Sequence, residues 1–265
     1  MQHIAPEHVL VLGGTTEARA LAQELVDLPG VRVTTSLPVT RPVPLDPPGE
    51  VFRGGFAGAG GLAAWLRHQQ VRAVVDATSP FAARITARAV EACAFADVPL
   101  LTLERPAWVP QPGDDWRPAA DLDAARDALG AGPWERALVA VGGLHLGPLV
   151  HLTRPRLVLR LSRLPEHPLP AGCEVALRRR TADVDGERAV MAARGVGVVL
   201  TTDSGGPGGA AVLVAARELA LPVVVVRRPV VPAVEGAPPA PRAAHAAQAA
   251  TWVRETLDAV GARGR

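Results

Sequence analysis

The residues Gly13-Gly14-Thr15-Thr16-Glu17-Ala18 stand between an apolar run of strand length, Val9–Leu12, and a helical pattern that begins at Thr16 or Glu17. A glycine directly after a buried strand permits a sharp turn. The helix start that follows offers N–H groups to an anion. The usual dinucleotide fingerprint would carry its second glycine where this chain has Thr15, and its third where it has Ala18. Thr15 and Thr16 bring hydroxyl groups instead, and either could cap the helix. By itself the loop fits a phosphate cradle and a plain strand-to-helix turn equally well.

The end of the second strand bears on which nucleotide would fit. An NAD site places Asp or Glu there, against the ribose 2′-hydroxyl. Here the strand ends Thr34-Thr35-Ser36, with Arg41 following and no acid before Asp46. Hydroxyls and a cation suit a 2′-phosphate, so NADP is favoured over NAD; the plainer alternative is a threonine-rich strand end beside a solvated arginine. Further on, "VVDATSPFAARITARAVEACAFADVPLLTLERPAW" places Asp76 at a strand end, Ser79-Pro80 in a stiff turn and Phe81 at a helix start. Asp76 is a candidate proton donor, and equally a residue that fixes the Thr78–Phe81 turn through backbone hydrogen bonds. Arg105 and Trp108 set a cation and an indole at a crossing between domains, where they could hold a large anionic ligand or simply pack on each other. The second half repeats the glycine device in "TTDSGGPGGAAVLVAARELALPVVVVRRP": a strand runs into Asp203-Ser204-Gly205-Gly206 and then a helix, and Gly142-Gly143 follows another strand. Such loops cradle carboxylates as readily as phosphates. Two of them suggest one for a cofactor and one for an acidic partner.

What the chain lacks excludes whole classes of chemistry. All of its basic side chains apart from histidine are arginine; without lysine there is no Schiff base, no pyridoxal anchor and no Walker-type phosphate lysine. Without tyrosine, a Tyr/Lys acid pair is excluded too. Cys93 and Cys173 lie far apart and the histidines form no close pairs, so no protein-bound metal is expected. A net charge of +2, with no basic run longer than Arg178–Arg180, argues against a nucleic-acid partner. No apolar segment approaches the length of a membrane span and no leader-like pattern follows Met1, so the expectation is a cytoplasmic protein that does not insert in membranes.

The elements that must position these residues read as alternating strand and helix. With 265 residues and 48% hydrophobic side chains, the chain can bury the cores of two domains. Strands are expected at 9–12, 31–36, 51–53, 73–76 and 99–103, with helices at 16–27, 59–69 and 81–96 between them. The loop-like "PQPGDDW", 110–116, is the expected crossing. The pattern then restarts, with strands at 137–141, 157–161, 174–177, 196–201 and 222–226, helices at 121–129, 184–193 and 209–219, a Pro/Ala-rich link, and a last helix over 243–260. This is an α/β chain of two parallel-sheet domains, 1–110 for a nucleotide and 111–265 for a substrate. Ligands are expected in a cleft between them at the carboxyl ends of the strands.

"LGGTTEARALA", "VVDATSPFA", "LERPAW" and "DSGG…AARELALPVVVVRRP", in this order, resemble the precorrin-6A reductase family of the cobalamin pathway, from about Val9 to Pro229. The resemblance implies two Rossmann-like domains, NADPH as cofactor and reduction of one double bond of a tetrapyrrole, precorrin-6A, to precorrin-6B; a cobalt-containing substrate serves the anaerobic version. A hydride donor needs neither a metal nor a covalent residue, which agrees with the missing lysine and tyrosine. A macrocycle rimmed with carboxylates suits an all-arginine basic set. Where the family commonly has histidine, in an Asp-Ala-Thr-His-Pro motif, this chain has Ser79; where a basic residue often precedes the second loop's serine, it has Asp203; and the lysine often seen in the following helix is absent, with Val212 nearby. The candidate cofactor residues are thus Gly13, Gly14, Thr15, Thr16, Glu17, Ala18, Ser36, Arg41, Thr78, Ser79 and Pro80. Those for the substrate are Arg105, Gly142, Gly143, Ser204, Gly205 and Gly206, and Asp76 is the candidate acid. Another NADP-dependent reductase or epimerase on paired Rossmann domains, or a nucleotide-sensing module without catalysis, is the alternative.

Overall fold

The computed structural model describes residues 6–38, 46–141, 146–162, 164, 169–177 and 183–263. The chain forms two compact units, Met1–Pro106 with Val230–Arg265, and Ala107–Pro229. In chain order the first unit holds β1 (Glu7–Leu12), α1 (Thr16–Val26), β2 (Val31–Leu37), β3 (Glu50–Arg53), α2 (Ala59–His68), β4 (Val71–Asp76), α3 (Ala83–Ala96) and β5 (Leu100–Leu103). The second holds β6 (Asp115–Ala119), α4 (Leu122–Ala131), β7 (Arg136–Ala140), β8 (Arg156–Leu161), β9 (Glu174–Leu177), α5 (Val184–Ala193), β10 (Val198–Thr202), α6 (Pro207–Glu218) and β11 (Pro222–Val226). The chain then returns to the first unit with β12 (Arg242–Ala243) and α7 (Ala246–Arg263).

Each unit is built on a six-stranded sheet in which every described pairing is parallel. The order is β12-β5-β4-β1-β2-β3 in the first and β6-β11-β10-β7-β8-β9 in the second. Counted from the central strand, both follow the 3-2-1-4-5-6 order of dinucleotide-binding folds. The sixth place is filled unusually in each: by β12, from the chain's return, and by β6, which precedes its own sheet's central strand. The sequence pattern gave no sign of either strand. β12 is only two residues long, and Pro118 in β6 is tolerated because that strand lies at the sheet edge.

The return also corrects the expected domain boundary. Residues 230–265 belong with the first unit and not with 111–229. Burial explains why: Ala249, Ala250 and Val253 of α7 share one core with Leu21, Ala22 and Leu25 of α1 and with Val9, Val11 and Val75 beneath them. Leu10, Leu12 and Val74 point to the opposite face, where α2 and α3 cover them with Leu62, Leu66, Ala89 and Ala92. A strand covered on both faces reads as a continuous apolar run, and this is why β1 was visible in the sequence. In the second unit Val199, Val223 and Val225 pack against Met191 of α5 and Val212, Leu213 and Ala216 of α6.

Candidate functional site

In the first sheet the strand order reverses between β1 and β4, and the loops that follow both strands flank this reversal. After β1, the Gly13 N–H donates to Ser36 O at 2.9 Å. The chain there runs so close to β2 that a Cβ on Gly13 would lie 2.6 Å from the Thr35 methyl. Gly14 takes φ +108°, a conformation that glycine adopts without strain. Thr15 caps α1: its Oγ1 accepts from Ala18 N at 3.0 Å and donates to Ala77 O, at the end of β4, at 2.7 Å. A hydroxyl has one proton, and Ala77 takes it. Thr15 therefore ties the loop down across the reversal as the cap of α1, one of the roles the sequence allowed its hydroxyl. The Gly14, Thr15, Thr16 and Glu17 N–H groups have no partner among the described residues. That is the donor set an anion at a helix start requires. Ala18, in the third-glycine place, is buried against the sheet. The Glu17 carboxylate accepts from Thr16 Oγ1 through Oε2 at 3.0 Å and from Arg105 Nη1 through Oε1 at 3.1 Å.

After β4, Asp76 is buried and divides the work of its two oxygens. Oδ1 accepts from Thr78 N at 3.0 Å and from Thr78 Oγ1 at 2.7 Å. Oδ2 is buried and has no hydrogen-bond partner among the described residues. Ser79 Oγ accepts from Phe81 N at 3.3 Å, so Thr78, Ser79 and Pro80 form one braced turn before α3. Register puts Ser36, Leu12 and Asp76 at one level on adjacent strands. The Cys93 thiol nearby is pushed up to about 12, chiefly by burial and further by the Asp76 charge.

The end of β2, where the sequence suggested nucleotide selection, is less open than its sequence suggests. Thr34 is occupied within the sheet, where it accepts from His8 Nε2 at 2.8 Å and donates to Glu50 Oε2 at 2.9 Å. Ser36 lies at the strand end, and Arg41 lies outside the described residues. Arg53, which the sequence reading passed over, ends β3 directly beside Leu37 and pairs with Asp46. A 3-2-1 strand order would have pointed to it, since it sets the end of β3 next to the end of β2.

In the second sheet the reversal falls between β7 and β10. Gly142 and Gly143, after β7, lie outside the described residues. After β10, Ser204 N donates to Thr202 O at 2.7 Å, Gly205 takes φ +69°, and Gly206 starts α6 without a side-chain cap. Asp203 is held from three sides. Its N–H donates to Val226 O at 2.9 Å, its Oδ1 accepts from Trp108 N at 3.1 Å, and its carbonyl accepts from Arg228 Nε at 3.0 Å. The Trp108 indole covers Gly209 of α6 so tightly that a Cβ there would lie 2.2 Å from the ring. The sequence offered Arg105 and Trp108 as a grip for one ligand or as a pair packed on each other. The structure separates them: Arg105 is tied to Glu17 in the first unit, and Trp108 packs against the core of the second.

The cofactor candidates at 13–18, 36 and 78–80, together with Asp76 and Arg105, gather at the carboxyl edge of the first sheet; Ser204, Gly205 and Gly206 lie at that of the second. Among the described residues no cluster of His, Cys, Asp or Glu could hold a metal ion, and no helix is long and apolar enough to cross a membrane. Residues 8–254 match the family described as Precorrin-6x reductase CbiJ/CobK. The chain belongs to the precorrin-6x reductase family. Members named precorrin-6A reductase include one from Rhodococcus erythropolis, 40% identical over 84% of this chain and 90% of that protein, and one from Rhodobacter capsulatus, 39% identical over 85% and 89%. A solved structure named CobK precorrin-6A reductase superposes with a TM-score of 0.83 at 36% identity, over 94% of this chain and 97% of its own. Membership makes this protein a reductase of cobalamin biosynthesis and implies a nicotinamide cofactor.

Proposed function

We propose that this protein uses NADPH to reduce one double bond of precorrin-6A, giving precorrin-6B. The observation that carries the reading is the Gly13–Ala18 loop at the strand-order reversal of the first sheet, with its run of unpartnered N–H groups at the start of α1. These groups fit a pyrophosphate, and Gly14 at positive φ lets the backbone approach it. Ser36 stands near the end of β2, which closes without a carboxylate of its own, and Arg53 on the adjacent strand end would exchange Asp46 for a 2′-phosphate. Bound NADPH supplies the hydride; the chain supplies binding, orientation and the exclusion of side reactions.

The second sheet offers the Ser204 hydroxyl and the Gly205 and Gly206 N–H groups before the uncapped α6, which suit a substrate carboxylate. Reduction of a carbon–carbon bond also needs a proton on the neighbouring carbon. Asp76 keeps Oδ1 for the Thr78 turn and has Oδ2 left for a ligand or a proton. Two measurements test the reading: fluorescence titration with NADPH and NADH, and anaerobic incubation of enzyme, NADPH and precorrin-6A followed by mass and absorbance. Binding of NADPH at least tenfold tighter than NADH, roughly what one charge-assisted contact contributes, and a product two mass units heavier are expected. Equal affinities would overturn the 2′-phosphate assignment, and NADPH binding without turnover would overturn the substrate.

A further inference from the structure

The Glu17–Arg105 pair joins a residue in the first turn of α1 to one just beyond β5, two strands away from β1. Both side chains are largely covered, at 22% and 15% exposure. A carboxylate in a helix's first turn favours the helix through its dipole. The same carboxylate repels any anion that would take the free N–H groups of that turn. Here that conflict falls at the loop assigned to the pyrophosphate. Glu17 is not loose, because Thr16 Oγ1 holds Oε2 and Arg105 Nη1 holds Oε1. Together with the Thr15–Ala77 bond, this laces the loop to the ends of both β4 and β5.

We propose that Arg105 is a positioning residue for the dinucleotide that acts through Glu17: its guanidinium holds and offsets a carboxylate that would otherwise repel the pyrophosphate at the start of α1. The inference rests on the dinucleotide reading above and adds to it a residue that need not touch the ligand. Removing Arg105 leaves the Glu17 charge uncompensated, and removing Glu17 as well takes away the repulsion together with the need for Arg105. A direct contact from Arg105 to the cofactor would give a different pattern, since deleting Glu17 could not replace it.

The test is a double-mutant cycle on the full chain, read as the Kd for NADPH by fluorescence titration at two salt concentrations, with thermal unfolding of each variant in parallel. Arg105→Gln is expected to weaken NADPH by roughly tenfold or more, a deficit that shrinks at higher salt. Glu17→Gln is expected to tighten NADPH by a few fold, and Glu17→Gln/Arg105→Gln to recover most of the affinity lost in Arg105→Gln. A double variant as weak as Arg105→Gln overturns the proposal in favour of direct contact, and an Arg105→Gln that binds like the unaltered protein overturns it outright. Should Arg105→Gln fail to fold, Arg105→Lys replaces it: a small loss supports the proposal and a loss of tenfold overturns it. Absence of NADPH binding by the unaltered protein would instead remove the dinucleotide reading and this inference with it.

Discussion

Two aspartates occupy matching places in the two sheets. Asp76 ends β4 and Asp203 follows β10, each on the strand beside its sheet's order reversal. Their surroundings differ. Among the described residues Asp76 bonds only to Thr78 and has one buried oxygen without a partner. Asp203 bonds across its unit, to Trp108 near the segment that enters it and to Arg228 near the segment that leaves. Equal topology thus does not mean equal duty. An oxygen with no partner in a buried place is costly unless a ligand or a proton satisfies it, while one held by framework donors contributes to stability.

The largest effect is expected at Asp203. Asp203→Ala removes a charged acceptor from the Trp108 N–H and the nearby countercharge from Arg228, and should lower the unfolding free energy by roughly 2–3 kcal/mol. Urea unfolding checks this, and Asp203→Asn should lose less, because its amide oxygen still accepts from Trp108. Unchanged stability with a raised KM for the tetrapyrrole would put Asp203 on the ligand side and erase the contrast.

Asp76→Asn should behave in the opposite way. The amide oxygen can keep both Thr78 bonds, so unfolding should shift by less than about 1 kcal/mol. An NH2 group now replaces Oδ2, and a ligand donor that met this oxygen would meet a donor instead. The expected result is a rise of about tenfold in KM or Kd with kcat reduced by less than tenfold. A kcat loss of about 10²-fold or more with cofactor binding intact would instead make Asp76 the proton donor.

The contrast between these aspartates could not be read from the sequence, although most of the scaffold could. Val9–Leu12 and Val198–Thr202 declare themselves as buried strands because both faces are covered, and the glycines after β1 and β10 mark where each chain turns into a helix. Strand order carries no such local mark. Nothing in "DWRPA" or "RA" says that these segments complete sheets whose other strands lie far away in the chain. The same limit applies to the site. Thr15 was recognisable as a cap, but its second bond goes to the Ala77 carbonyl, and any residue type at 77 would supply a carbonyl. Trp108 looked like a ligand grip because its partner, Gly209, is visible only as space that a Cβ would fill. Arg53 was legible in principle, from strand order and not from composition.

The smallest effect separates the units by pH. At the opposite, amino-terminal edge of the first sheet His8 is buried in β1 beside Trp65. Thr34 gives its proton to Glu50, so it accepts from the His8 Nε2–H; Nδ1 is then left to accept from Arg32 Nη2 at 2.7 Å. A second proton on the ring would displace that bond and set two cations side by side. Burial first, and the Arg32 charge with it, hold the His8 pKa below 6.5, against opposing contributions from the Gln69 carbonyl and Glu50. The unfolded chain therefore binds the proton more readily than the folded one. Stability from neutral His8 is fully present above pH 6.5 and is lost as pH falls through the lower folded value. The matching strand of the second sheet, β7, begins with Arg136 paired to Glu174 and carries no histidine. As pH falls from 7 to 5.5 the first unit should lose stability relative to the second. Hydrogen exchange read by mass spectrometry follows both units in one sample. His8→Gln should flatten the difference, and equal loss of protection in the two units would show that His8 does not set it.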